Sequence, residues 1–319
     1  MKHHARGVQE QEWLQTLKSK ALCFVPLALL GLVAWAVLLL RSDQGLLKIA
    51  HGLQSSNEAH HSPQGVSRME NPYWAQFHET LVQEVEVAKE RGVELVFYGD
   101  SITESWRGTN TGQYWEPFAK TPEVFAKHYS SMSTGVYAIS GDTTGNLLWR
   151  VHHGEGLRGL GRSPQAVVVL IGTNDLFHQP NLDDVQAVAA NVSTGATEVV
   201  EVILEQAPGA QVLLLGLLPR GDPAVEPPTL QPCRFTAPIE AANERLQAYA
   251  ASRKRVNFVD CGHLFVEKHK ESGEVELIGE LMPDVLHPSA QGMDLLAQCL
   301  QPHLRQAGIN PTTRRLRSL

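Results

Sequence analysis

Four short segments carry side chains suited to one chemistry. Gly99-Asp100-Ser101-Ile102-Thr103 places a hydroxyl just after the apolar run VELVFY (93–98). A serine there stands at or near the start of a short helix, where free backbone N–H groups stabilise a developing negative oxygen. Ser140-Gly141-Asp142-Thr143-Thr144 follows GVYAI (135–139) and presents the Gly141 N–H with no side chain in the way. Gly172-Thr173-Asn174-Asp175 follows AVVVLI (166–171) and offers the Asn174 amide as a neutral donor. In Asp284-Val285-Leu286-His287-Pro288 the i, i+3 spacing lets Asp284 accept from one ring nitrogen of His287 and leaves the other free as a base. Taken singly, each segment also reads as turn or helix-cap chemistry. Together they supply a nucleophile, a base, its orienting carboxylate and anion-stabilising donors, in order, at successive strand ends.

The elements that must position these groups alternate along the chain. Apolar, β-rich runs fall at 93–98, 135–139, 166–171, 211–218 and 256–260, with helical periodicity at 74–92, 143–153, 183–206, 237–252 and 289–307. Five strands separated by helices predict an α/β fold, a parallel sheet covered on both faces. In such sheets ligands bind beyond the carboxyl ends of the strands. Ser289 is the expected N-cap of the last helix. No period of 20–50 residues repeats, so residues 72–308 read as one domain, and the Pro-rich stretch 221–232 reads as a surface loop within it.

The chain has 319 residues, 43% apolar and 19% charged, with a formal net charge of −7. That balance disfavours a nucleic-acid partner. Charge is uneven: residues 1–50 hold six Lys/Arg against three Asp/Glu. Within them, residues 21–40 (ALCFVPLALLGLVAWAVLLL) are twenty residues without a charge, long enough to span the ~30 Å bilayer core as a helix. A cleaved signal peptide has a shorter apolar region and a small-residue cleavage site, and a core helix would be amphipathic. The expected organisation is a short cytoplasmic N-terminus (1–20), a transmembrane anchor (21–40), a flexible tether (41–71), the domain (72–308) and a basic tail (309–319). Lys2, Arg6, Lys18 and Lys20 precede the span and Arg41 and Lys48 follow it, which orients the domain to the luminal or extracellular side. Asn191-Val192-Ser193 is a glycosylation candidate consistent with that side. The histidine pairs at 3–4, 60–61 and 152–153 lack ligand partners at metal spacing, so no metal is expected. The four cysteines read mainly as buried apolar residues, with one disulfide open in an oxidising compartment.

With these blocks in place, the chain resembles the GDSL, or SGNH, hydrolase superfamily: Ser101 in GDSIT, Gly141 in SGDTT, Asn174 in GTND and His287 with Asp284 in DVLH. The stretches GDTTGNLLWRV (141–151), LLGLLPRG (214–221) and DVLHPSAQG (284–292) are similar to the platelet-activating-factor acetylhydrolase catalytic-subunit branch. That branch commonly reads G-I-G-G-D where this chain has Ala138-Ile139-Ser140-Gly141-Asp142. The resemblance implies a three-layer α/β/α, flavodoxin-like fold and a cofactor-free serine esterase. Ser101, His287 and Asp284 would be catalytic, and Ser101, Gly141 and Asn174 would form the oxyanion hole. It further implies a short acyl group such as acetyl on a small ester, glycan or lipid, and leaves room for a homodimer. Two other classes fit the same sheet: a membrane-tethered binding module on an inactive hydrolase scaffold, and a flavin or nucleotide binder, which GDSITESW suits poorly.

Overall fold

The structure, a computed structural model, describes residues 65–222, 224, 233–268, 273 and 275–309. The expected membrane span at 21–40, the histidine pairs at 3–4 and 60–61, most of the Pro-rich loop and the basic tail after residue 309 lie outside the described residues.

Five parallel strands form the main sheet: β1 (Leu95–Gly99), β4 (Thr134–Ala138), β5 (Ala166–Leu170), β6 (Gln211–Leu215) and β7 (Val256–Val259). Their order is β4-β1-β5-β6-β7, with β1 paired to both β4 and β5. Two small antiparallel hairpins, β2 (Thr109–Asn110) with β3 (Gln113–Tyr114) and β8 (Val266–Lys268) with β9 (Val275–Leu277), lie off the sheet. The eight α-helices among the described residues are α1 (Pro72–Arg91), α2 (Ser101–Glu104), α3 (Thr121–Tyr129), α4 (Thr144–His152), α5 (Thr173–Phe177), α6 (Val185–Gln206), α7 (Thr236–Ala251) and α8 (Ala290–Gln306).

The strands read as unbroken apolar runs because both faces are covered. Val96, Tyr98, Val167, Val169, Val212 and Leu214 point into one core with residues of α1, α4, α6 and α7. Leu95, Phe97, Val168, Leu170, Leu213 and Leu215 point into the other, with residues of α3 and α8. The result is a three-layer α/β/α fold. Among the described residues α6 alone is long and apolar enough to cross a membrane, and its buried apolar residues are divided between the first of these cores and a smaller cluster with Leu176, Leu217 and residues of α7.

Helix ends follow their sequence signals. Ser289 caps α8 by accepting from Gly292 N–H, and Gly92, at φ 81°, ends α1. Several short elements escaped the sequence pattern, among them α3, α5 and both hairpins. Helix α3 is short, although Thr121-Pro122-Glu123 is a helix-start signature. The hairpin β2–β3 has two-residue strands, with Thr111 and Gly112 both at positive φ in the turn.

The disulfide left open for the cysteines is present, and Cys261 is also buried in the second core. Cys261 follows β7, Cys299 lies on α8, and the two form a disulfide across 38 residues of sequence; Cys233 is free. A bond of that span stabilises chiefly by restricting the unfolded chain. Replacing Cys299 with serine is expected to lower stability by about 2–5 kcal/mol. Denaturant unfolding checks this, and an unchanged midpoint would show that the bond is not formed in the folded protein.

Candidate active site

Ser101, Asp284 and His287 meet at the carboxyl edge of the sheet. Strand β1 ends in Gly99, where an added Cβ would lie 2.4 Å from Leu170 O on the neighbouring strand; only glycine permits that approach. Asp100 then caps α2, its Oδ1 accepting from Ile102 N–H at 3.0 Å, and Ser101 opens the helix. Its hydroxyl lies 2.8 Å from His287 Nε2, and His287 Nδ1 lies 2.6 Å from Asp284 Oδ2. Asp284 Oδ1 accepts from the backbone N–H of Leu286 and His287 at 3.0 and 2.6 Å, which folds the i, i+3 segment into a tight turn. Inside that turn Val285 sits at φ 61°, a strained conformation for a β-branched residue. Burial raises the Asp284 pKa, but the bonds from His287 and Leu286 outweigh it and hold the carboxyl below its ordinary value. Asp284 is therefore a carboxylate at neutral pH, the form that accepts from Nδ1–H and leaves Nε2 to accept from Ser101. Phe118 packs edge-on against the imidazole, with ring centres 5.4 Å apart.

Gly141 and Asn174 come to the same edge, since β1 lies between β4 and β5. Gly141 adopts φ 80° in a turn closed by Asp142 N–H to Ile139 O, and its own N–H enters no backbone hydrogen bond among the described residues. Asn174, on α5, donates one Nδ2–H to Asp142 O at 2.9 Å and so keeps one amide N–H in hand. On the other side the loop is held by Glu104, the last residue of α2 and fully buried. Glu104 Oε2 accepts from Ser140 N–H and Ser140 Oγ, each at 2.7 Å, and its carboxylate also accepts from Thr109 Oγ1 and the N–H groups of Thr111 and Gly112. The nucleophile helix and the Ser140–Asp142 loop are thus one hydrogen-bonded unit.

Beneath the loop runs a buried ionic chain. Asp142 accepts from Trp74 Nε1 and Arg150 Nε, both at 2.7 Å. Arg150 also pairs with Glu155, which lies 2.6 Å from His78 Nδ1, and its Nη2 donates to Gly99 O. Burial alone would lower the Arg150 pKa; Glu155 and Asp142 outweigh it and hold the guanidinium charged. None of Glu104, Arg150 and Glu155 was legible as a site residue, since their partners lie on other segments. The other sequence candidates stay apart from the site. Asn191 is exposed on α6 with Ser193 buried, and the His153 ring stacks on Trp149 at 4.1 Å. The surface groove of about 730 Å³ along the β4 edge, between α1 and the Trp106–Arg107 segment, contains none of the candidate site residues.

The sequence relationships agree with this geometry. A profile described as the GDSL-like Lipase/Acylhydrolase family matches residues 97–295, and the chain belongs to that family. It is 27% identical over 227 residues to platelet-activating factor acetylhydrolase IB subunit alpha1 of Bos taurus, covering 71% of this chain and 80% of that protein. It is 31% identical over 149 residues to the alpha2 subunit of Gallus gallus, covering 47% of this chain and 53% of that one. A solved Streptococcus pneumonia structure with platelet activating factor in its description shares the fold, with a TM-score of 0.51 at 21% identity over 74% of this chain and 97% of its own.

One carboxyl beside the nucleophile has a testable pH signature. Burial pushes Asp100 up to about 7 from 3.8, and its Oδ2 has no hydrogen-bond partner among the described residues. Between those values the folded protein keeps a proton that the unfolded chain has lost, so this group's contribution to stability falls as pH rises from about 4 to 7 and is level above that. Asp175, pushed up to about 6 by burial, acts in the same direction over a narrower window. Asp100→Asn keeps an N-cap acceptor. It should flatten the stability–pH slope by up to about 1.4 kcal/mol per pH unit between pH 4 and 7. An unaltered slope in unfolding titrations would refute the buried, protonated carboxyl.

Proposed function

We propose that this protein is a membrane-anchored serine esterase that hydrolyses a short-acyl ester through an acyl-enzyme. The observation that carries the proposal is the 2.8 Å contact of Ser101 Oγ with His287 Nε2, backed by Asp284 at 2.6 Å. His287 Nε2 takes the Ser101 proton as Oγ attacks the ester carbonyl carbon. The carbonyl oxygen becomes an oxyanion held by the N–H groups of Ser101 and Gly141 and the second N–H of Asn174. The ester C–O bond breaks, and His287 passes its proton to the leaving alkoxide. Water then gives a proton to His287 and its hydroxyl to the acyl carbon; the acyl–Oγ bond breaks, the acid leaves and His287 returns the proton to Ser101 Oγ. No step calls for a cofactor. A short acyl group is supported by the acetylhydrolase names of the relatives.

The anchor is residues 21–40. The Cys261–Cys299 disulfide and the positive flank before the span support a luminal or extracellular domain, as does the exposed Asn191 acceptor. Digestion of the domain by protease added to the cytosolic side of sealed vesicles would reverse that orientation.

The full chain should react with a fluorophosphonate probe and hydrolyse short-chain chromogenic esters faster than long-chain ones, and Ser101→Ala should lose both activities. Equal labelling of the two proteins would end the nucleophile assignment, and labelling of neither would leave an inactive binding scaffold. Asn174→Ala is expected to lower kcat by about 10²–10³ in the same assay. A kcat within a factor of about 2 of wild type would remove Asn174 from the oxyanion hole.

A further inference from the structure

Residues 65–71, assigned by composition to a flexible tether, run instead against the candidate site, and they precede the family match at 97–295. Val66 N–H donates to Gly145 O at 2.9 Å, and Val66 O accepts from Asn146 Nδ2 at 2.9 Å. Gly65 lies so close to α4 that an added Cβ would stand 2.3 Å from Gly145 O. Asn71 then caps α1. Between these fixed points Arg68 reaches the Ser140–Asp142 loop: its Nη1 donates to Ser140 O at 3.1 Å and to Asp142 Oδ1 at 3.0 Å. The guanidinium covers Gly141, where a Cβ would lie 3.2 Å from Nη1.

Ser140 O and the Gly141 N–H belong to one planar trans peptide and point in opposite directions. Whatever holds the oxygen therefore aims the N–H. Such a lock has work to do here, because a glycine at φ 80° lets this peptide rotate at little steric expense. Glu104 holds the loop from the nucleophile side through Ser140 N–H and Oγ. Arg68 holds the oxygen of the peptide that carries the Gly141 donor.

We propose that Arg68 is a positioning residue: it locks the Ser140–Gly141 peptide so that the Gly141 N–H stays aimed at the oxyanion. The segment joining the N-terminal region to the hydrolase domain is then a working part of the esterase. This inference rests on the acyl-enzyme reading above.

The test compares full-length wild type, Arg68→Ala and Arg68→Lys on nitrophenyl acetate and on the matching thionoester, whose sulfur is a poor hydrogen-bond acceptor. The preference for the oxygen ester then reports the oxyanion donors. Arg68→Ala should lower kcat on the oxygen ester about 10–100-fold with KM within about 2-fold, less than the ~10²–10³ lost with a whole donor. The oxygen-to-sulfur preference should fall with it, and the pH profile should keep its shape, since His287 and Asp284 are untouched. Arg68→Lys should recover part of both losses, one ammonium still reaching Ser140 O. An unchanged kcat, or equal losses on the two esters, would overturn the role of Arg68. Should Arg68→Ala fail to fold, the ester preference of Arg68→Lys decides: a wild-type value counts against the lock and a reduced one supports it. A wild-type chain that cleaves neither ester and takes no fluorophosphonate at Ser101 would overturn the esterase reading and this inference together.

Discussion

A contact between side chains 186 residues apart, Ser101 Oγ to His287 Nε2, depends on the whole sheet. Ser101 stands just past the end of β1, an interior strand paired on both sides and ended by a glycine that lets two backbones almost touch. His287 stands on a turn that Asp284 closes with three hydrogen bonds. Neither residue can shift without moving a packed layer, because close-packed interiors transmit strain rather than absorb it. The strained backbone of Val285 sits in that turn, as such conformations do where surrounding contacts over-determine them.

The second constraint is charge in a dry place. Asp142, Arg150 and Glu155 are fully buried, and burying ions is favourable only when they are paired and hydrogen-bonded. Here each has several partners, and Asp142 alone joins Trp74, Arg150 and Arg68. An apolar core could give equal stability. It would not supply the bonds that Asp142 makes to Trp74, Arg150 and Arg68, and Asp142 belongs to the loop that carries the Gly141 donor.

The departure from the G-I-G-G-D pattern gains a physical meaning in this setting. Ser140 gives Glu104 two donors where a glycine would give one, and Arg68 holds the same residue's carbonyl. Side chains on α2 and on the segment before α1 restrain a loop that two further glycines would leave freer. The loop is thus fastened by residues of this chain that the shared blocks do not include.

Local pattern carried the sequence-level expectations. Unbroken apolar runs between helical periods specify a doubly covered parallel sheet, and small polar residues after each strand mark its reactive edge, because both signals lie within a few neighbouring residues. Strand bounds shifted by at most three residues, and the short α3 and the two hairpins, with strands of two or three residues, gave too little periodicity to detect. Tertiary structure decided everything that depends on which strand ends become neighbours. The order β4-β1-β5 brings Gly141 and Asn174 to either side of Ser101, Glu104 and Arg68 become loop restraints only when chain segments 36 and 72 residues away arrive beside them, and Cys261 finds Cys299 only once α8 packs on the sheet. Residue types and local spacing are written in the chain, whereas the partners of a buried charge or a backbone carbonyl exist only after the layers have closed.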